Sequence, residues 1–238
     1  MTDYLDPHWP TAVLVIIDVQ RDFVDSVPGT ADVVPTIARL ASSFRAAGRP
    51  IVHVVRSYAA GESDVDVVRR SAIEAGEAAV EPGTPGARIP DELLPAVVDL
   101  DWDLLRSGRV QRLGDVDHAL YKPRWSAFYR TRLDALLRGA DVDTVVVAGC
   151  NLPNCPRATL FDASERDYRT VLVTDATSQT TAERIADLEL IGVRSATVDE
   201  VTGGRSGGPR LCQRWVGTPT SVATTMPAAT SDRRSSAL

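Results

Sequence analysis

The stretch Gly149-Cys150-Asn151-Leu152-Pro153-Asn154-Cys155-Pro156 places a cysteine where an apolar run stops and a helix can start. Pro156 suits a first helical turn, because its missing N–H would have had no partner there. A thiol at a helix N-terminus meets the positive end of the dipole, which favours the thiolate. Free N–H groups in such a turn can hold an oxyanion. Cys155 is therefore a candidate nucleophile, against the commoner role of cysteine as a small buried hydrophobe. That plainer role is the one expected for Cys150 and Cys212. Asp18-Val19-Gln20-Arg21-Asp22-Phe23 sets a carboxylate at the end of another apolar run. Asp18 could serve there as general base or acid, or simply cap the next turn. The third segment, Tyr121-Lys122-Pro123-Arg124-Trp125-Ser126-Ala127-Phe128-Tyr129, carries the single Lys of a chain with 26 Lys and Arg residues. Pro123 bars a continuing strand, so Lys122 stands where the chain leaves the sheet, either over the strand ends or as a surface cation.

These residues need a scaffold that brings them together. Residues 11–18, 50–56, 143–149 and 170–175 are apolar, rich in β-branched side chains and not alternating. That pattern predicts strands covered on both faces, as in a parallel sheet. Shorter strands are expected at 118–121 and 193–197. Helical spacing runs over 33–47, closing at Gly48, and over 130–137, closing at Gly139. Two more helices are expected at 156–168 and 181–190. Strand alternating with helix predicts an α/β fold: three layers, α/β/α, around a mostly parallel, doubly wound sheet. Such sheets bind ligands beyond the carboxyl ends of their strands, which marks Asp18, the segment after Gly149, and Asp175. Residues 61–113 are less regular, with a loop at 82–86, and read as a lid or as outer covering of the sheet. From about 202 the chain turns to Gly, Ser, Thr, Pro and Ala. We expect one domain over residues 1–201 and a low-complexity, disordered tail over 202–238.

Composition excludes several classes. The 238 residues are 44% apolar and 24% charged with a formal net charge of −6, and the pI is about 5.1. No excess of Lys and Arg is available to neutralise nucleic-acid phosphates. No apolar run approaches the ~18 residues of a membrane span. The acidic N-terminus lacks the basic, then apolar, regions of a secretion signal, so a cytoplasmic location is expected. Three cysteines, Cys150, Cys155 and Cys212, make no disulfide framework. His8, His53 and His118 are scattered, which speaks against a metal site.

Together the three segments resemble the isochorismatase-like cysteine hydrolases, a superfamily of nicotinamidases, ureidoacrylate- and carbamoyl-type amidohydrolases and true isochorismatases. The resemblance rests on Asp18 with Gln20, Asp22 and Phe23; on Lys122 with Ser126-Ala127-Phe128; and on Cys155 with Gly149 and Thr159. Asp167-Tyr168, Asp175-Ala176 and Pro82-Gly83-Thr84-Pro85-Gly86-Ala87 add to it, over roughly residues 10–200. It implies the same layered fold and a cofactor-independent hydrolase with a thioester intermediate. Cys155 would attack, Asp18 would shuttle the proton, and Lys122 would hold the Asp18 carboxylate. The backbone N–H groups of Asn151 and Cys155 would form the oxyanion hole, next to a cis peptide between Cys150 and Asn151. It also implies a small-molecule substrate and a homo-oligomer. The chain departs from the family at Leu152, where a Thr is usual, and in its prolines at 153 and 156. It also lacks the Asp-x-His cluster with which nicotinamidases bind a metal.

A retained Cys155 favours cleavage of an amide, ureido or carbamoyl C–N bond. Two alternatives stand beside it. One is a vinyl-ether hydrolase with Asp18 as acid and Cys155 a passenger; the other is a binding protein that keeps the fold. Phe23, Trp125, Phe128 and Tyr129 are candidates for the substrate wall, and for ordinary packing. Arg56, Arg124 and Arg157 could each bind a carboxylate or carbonyl, or lie on the surface.

Overall fold

The computed structural model describes residues 3–203. Cys212 and nearly all of the proposed tail lie outside the described residues. Seven strands form one sheet: β1 (Ala12–Ile17), β2 (Ile51–Val55), β3 (Gln111–Arg112), β4 (Asp117–Tyr121), β5 (Thr144–Gly149), β6 (Arg169–Thr177) and β7 (Arg194–Ala196). Their order across the sheet is β3-β4-β2-β1-β5-β6-β7, with β3 antiparallel to β4 and every other pair parallel. The helices are α1 (Arg21–Ser26), α2 (Thr30–Ala46), α3 (Val67–Glu74), α4 (Trp102–Arg106), α5 (Leu133–Gly139), α6 (Cys155–Ser164), α7 (Ala182–Glu189) and α8 (Val198–Gly203).

Every residue of β1 is buried, and successive side chains enter different cores. Ala12, Leu14 and Ile16 pack with Val34, Ile37, Leu40 and Phe44 of α2 and with Val198 and Val201 of α8. Val13, Val15 and Ile17 pack on the opposite face with Leu133 and Leu137 of α5, Leu160 and Ala163 of α6, and Leu188 of α7. A strand apolar at every position thus feeds two hydrophobic layers, which gives the three-layer architecture.

The sheet grows from β1 to one side through β2 and β4 and to the other through β5 and β6. The strand order reverses between β1 and β5, where doubly wound sheets open their ligand crevice. Four neighbouring strands, β4, β2, β1 and β5, therefore deliver Lys122, Arg56, Asp18 and the Cys150–Cys155 turn to one edge.

Several boundaries differ from the sequence expectation. Gly139 does not close α5 in a left-handed conformation; Asp141 takes that conformation instead, with φ 55°. The β6 strand runs on to Thr177, so Asp175 lies within it and accepts the Val198 N–H at 2.8 Å at the start of α8. The sixth helix stops at Ser164 rather than Tyr168. The irregular middle holds α3, α4 and the short edge strand β3. Among the described residues no helix is long and apolar enough to cross a membrane.

Candidate active site

Asp18 directly follows β1, with φ 53° and its N–H donating to Val54 O at 2.9 Å. Lys122 directly follows β4, and its Nζ donates to Asp18 Oδ2 at 2.8 Å; both residues are buried. The ammonium also donates to Arg124 O at 3.2 Å. The remaining carboxylate oxygen, Asp18 Oδ1, is buried and meets no partner in hydrogen-bonding geometry.

The turn from Gly149 to Cys155 is built by close approach. Gly149 ends β5 with φ 122°, and a Cβ there would stand 2.3 Å from Ile17 O. The next peptide, Cys150-Asn151, is cis, as the resemblance implied. The N–H groups of Cys150, Leu152 and Asn154 donate to Ile17, Ser178 and Asn151 carbonyls at 2.8, 2.9 and 3.0 Å. Leu152, at the unusual position, is fully buried in the core. Among the described residues no acceptor takes the N–H groups of Asn151 or Cys155. Thr159 fixes the start of α6: its hydroxyl donates to Cys155 O at 2.8 Å and accepts the Ala127 N–H at 3.0 Å. This ties the Ser126-Ala127-Phe128 element to the cysteine.

Cys155 lines the cavity at this edge, and its surroundings work against the thiolate expected from its place at a helix start. Burial pushes its thiol from 9.0 up to about 12, and the charge of the Asp18 carboxylate pushes the same way. Lys122 and Arg56 oppose both. The expected thiolate is thus a thiol held beside a carboxylate.

Arg56, one of three arginines left open by the sequence, belongs to this site. It is buried, and its Nη1 stands 4.0 Å from Cys155 Sγ. Its Nη2 pairs with Asp66 Oδ2, which also accepts the Tyr58 hydroxyl at 2.6 Å. Burial alone would lower the Arg56 pKa, but the surrounding Tyr58, Asp18, Cys155 and Asp66 hold it above its ordinary value. Burial would likewise raise Asp66, yet Arg56 and the Tyr58 hydroxyl keep its carboxyl below the usual range. Gln20 holds the Arg56 backbone on both sides: its Oε1 accepts Arg56 N–H at 2.8 Å and its Nε2 donates to Arg56 O at 3.0 Å. It also donates to Ala87 O at 2.9 Å. Asp22 accepts the Val80 N–H at 2.6 Å and leaves Gly86 no room for a Cβ, which would stand 1.9 Å from its Oδ1. The Asp18, Gln20 and Asp22 spacing therefore serves the pocket three ways, and explains the 82–87 loop.

The cavity is about 80 Å³, walled by Phe23, Val27, Tyr58, Trp125, Asn151 and Asn154 besides the charged groups and both thiols. Phe23 and Trp125 thus stand where the sequence suggested. Phe128 and Tyr129 do not line it. Phe128 is packed between sheet and helix, 5.9 Å from the Tyr168 ring, and Tyr129 is 50% exposed. Arg124 instead pairs with Asp64 at 2.6 Å, and Arg157 stacks over Phe161. The three histidines bond to separate groups, Asp143, Asp117 and Val116 O. Among the described residues no cluster of three His, Cys, Asp or Glu could hold a metal ion. Tyr58 and Asp66 escaped the sequence reading; Tyr58 stands just after the second strand, at the sheet's ligand edge, which was a signal, whereas Asp66 precedes α3 and had none.

Comparison with known proteins gives the same setting. The isochorismatase domain model matches residues 12–202. A probable inactive nicotinamidase from Arabidopsis thaliana is 32% identical over 204 residues, covering 81% of this chain and 95% of the relative. A ureidoacrylate amidohydrolase from Methylobacterium radiotolerans is 28% identical, covering 80% of this chain and 75% of the relative. The crystal structure of N-carbamoylsarcosine amidase from Thermoplasma acidophilum superposes with a TM-score of 0.62 at 26% identity, covering 79% of this chain and 97% of that one.

Proposed function

The chain belongs to the isochorismatase family of hydrolases, and on that footing we propose that it cleaves a C–N bond of a small amide, ureido or carbamoyl compound through a thioester on Cys155. One observation carries the reading: a buried Lys122–Asp18 pair at 2.8 Å leaves Asp18 Oδ1 without a partner, in a residue that lines the same cavity as the Cys155 thiol.

The chemistry follows from the groups. Asp18 Oδ1 takes the Cys155 proton as the sulfur attacks the carbonyl carbon. Lys122 and Arg56 offset the charge on the sulfur. The carbonyl oxygen becomes an oxyanion held by the N–H groups of Asn151 and Cys155. Asp18 returns the proton to the leaving nitrogen, the C–N bond breaks, and an amine departs. Water, deprotonated by Asp18, then attacks the thioester and releases the acid with the thiol restored. The small cavity suits a small substrate, and the ureidoacrylate and N-carbamoyl relatives favour the ureido or carbamoyl class.

Turnover of a panel of primary amides, ureido and carbamoyl compounds and isochorismate, with wild type and Cys155→Ala, tests this. The expected outcome is hydrolysis of a C–N substrate that falls at least about a thousandfold in the variant, the scale of losing a catalytic nucleophile. Turnover of isochorismate that survives in Cys155→Ala would establish the vinyl-ether reading instead.

A further inference from the structure

Two carboxylate oxygens of cavity-lining residues are buried without a partner, Asp18 Oδ1 and Asp66 Oδ1. The proposed mechanism uses the first and leaves the second idle. Asp66 cannot turn away from its place. Its Oδ2 holds both Arg56 Nη2 and the Tyr58 hydroxyl, and the residue is 3% exposed. A buried anionic oxygen without a donor is costly, and a donor brought in by a ligand relieves that cost. The same Arg56 that grips Asp66 reaches to 4.0 Å from the sulfur. A donor bound at Asp66 therefore sits within one guanidinium of the attacked carbon.

We infer that Asp66 is a specificity-determining residue that accepts a hydrogen bond from a substrate N–H close to the scissile carbonyl. The inference rests on Cys155 being the nucleophile, and it narrows the substrate class to groups carrying such an N–H: primary or monosubstituted amides and ureido or carbamoyl groups. Esters and fully substituted amides leave Asp66 Oδ1 unpaired and bind worse.

The test uses the full chain and the alkylation of Cys155, followed by peptide mass. Iodoacetamide and N,N-dimethyliodoacetamide are compared, each rate divided by its rate with free cysteine. The expected corrected ratio is roughly tenfold in favour of iodoacetamide, the scale of one hydrogen bond to a charged group. In Asp66→Asn the carbonyl oxygen must face Arg56 and Tyr58, which puts an NH2 where Oδ1 was, so the ratio falls toward one. The side chain keeps its size, so a steric preference would persist. As a second measurement, N-methylacetamide should protect wild-type Cys155 from alkylation better than methyl acetate, which matches it in size. That comparison decides the matter if the variant does not fold. Equal corrected rates in wild type, an unchanged ratio in a folded variant, or equal protection would overturn the role of Asp66 while leaving Cys155 as nucleophile. Labelling of Cys155 no faster than Cys150 with both reagents would instead remove the nucleophile reading, and this inference with it.

Discussion

A single ammonium in an arginine-rich chain is fully buried, and its partner is a buried carboxylate. Such a pair is weak evidence of net stabilisation, because both charges were taken out of water. Breaking it is another matter. Lys122→Met would leave the buried Asp18 carboxylate without its partner. We expect a loss of about 3–5 kcal/mol in urea unfolding, the usual result of stranding a buried charge. Turnover should fall with it. A variant as stable as wild type would show that the pair contributes nothing to holding the fold together. At this scale the sequence marked Asp18, Lys122, Cys155, Phe23 and Trp125, which the fold brings to one end of the sheet. Phe128 and Tyr129 lie away from the cavity, because whether an aromatic ring near Lys122 in sequence faces the pocket or the core depends on turns no local pattern fixes.

Elements position these side chains by how closely they approach. The β5 strand pairs with β1 up to Ile17 opposite Gly149, and there the backbones leave no space for a side chain. The neighbour is a carbonyl of a central strand, which cannot move aside as a flexible side chain can. Gly149→Ala should therefore cost about 2 kcal/mol or more, from the contact with Ile17 and from the left-handed φ. The expected reading is a lower thermal midpoint together with lost turnover, since the same turn carries Asn151 and Cys155. Gly86→Ala would meet a side-chain carboxylate instead, which can swing away, so its thermal midpoint should fall less. The helix ends were harder to foresee. Glycine is the usual residue at a left-handed C-terminus, yet α5 turns at Asp141, a residue type that tolerates the conformation.

Across the whole molecule the buried thiols tie stability to pH. The Cys155 thiol rises to about 12 and that of Cys150 to about 11, both mainly by burial, from a common 9.0. Above pH 9 the unfolded chain loses these protons while the folded chain keeps them. The folded state then binds more protons, so stability falls as pH rises from about 9 toward 12. The thermal midpoint should drop over that range, and less steeply in Cys155→Ala. Parallel curves for the two proteins would mean that the sulfur is more solvated than its burial indicates.

The sequence by itself determined the layered α/β architecture and which reactive residue types stand at the ends of its strands. Runs of β-branched residues can be buried only on both faces of a sheet, and a carboxylate, an ammonium and a thiol were legible because each follows a strand or opens a helix. Tertiary structure decided what those groups feel. Arg56 became part of the site, not a surface charge, because β2 lies beside β1 in the sheet and a segment after it supplies Asp66 and Tyr58. The Cys155 thiol is pushed up, to about 12, mainly because packing removes water around it. Both outcomes depend on which distant segments exclude solvent from one point, and solvent exclusion is a property of the assembled fold rather than of any local run of residues.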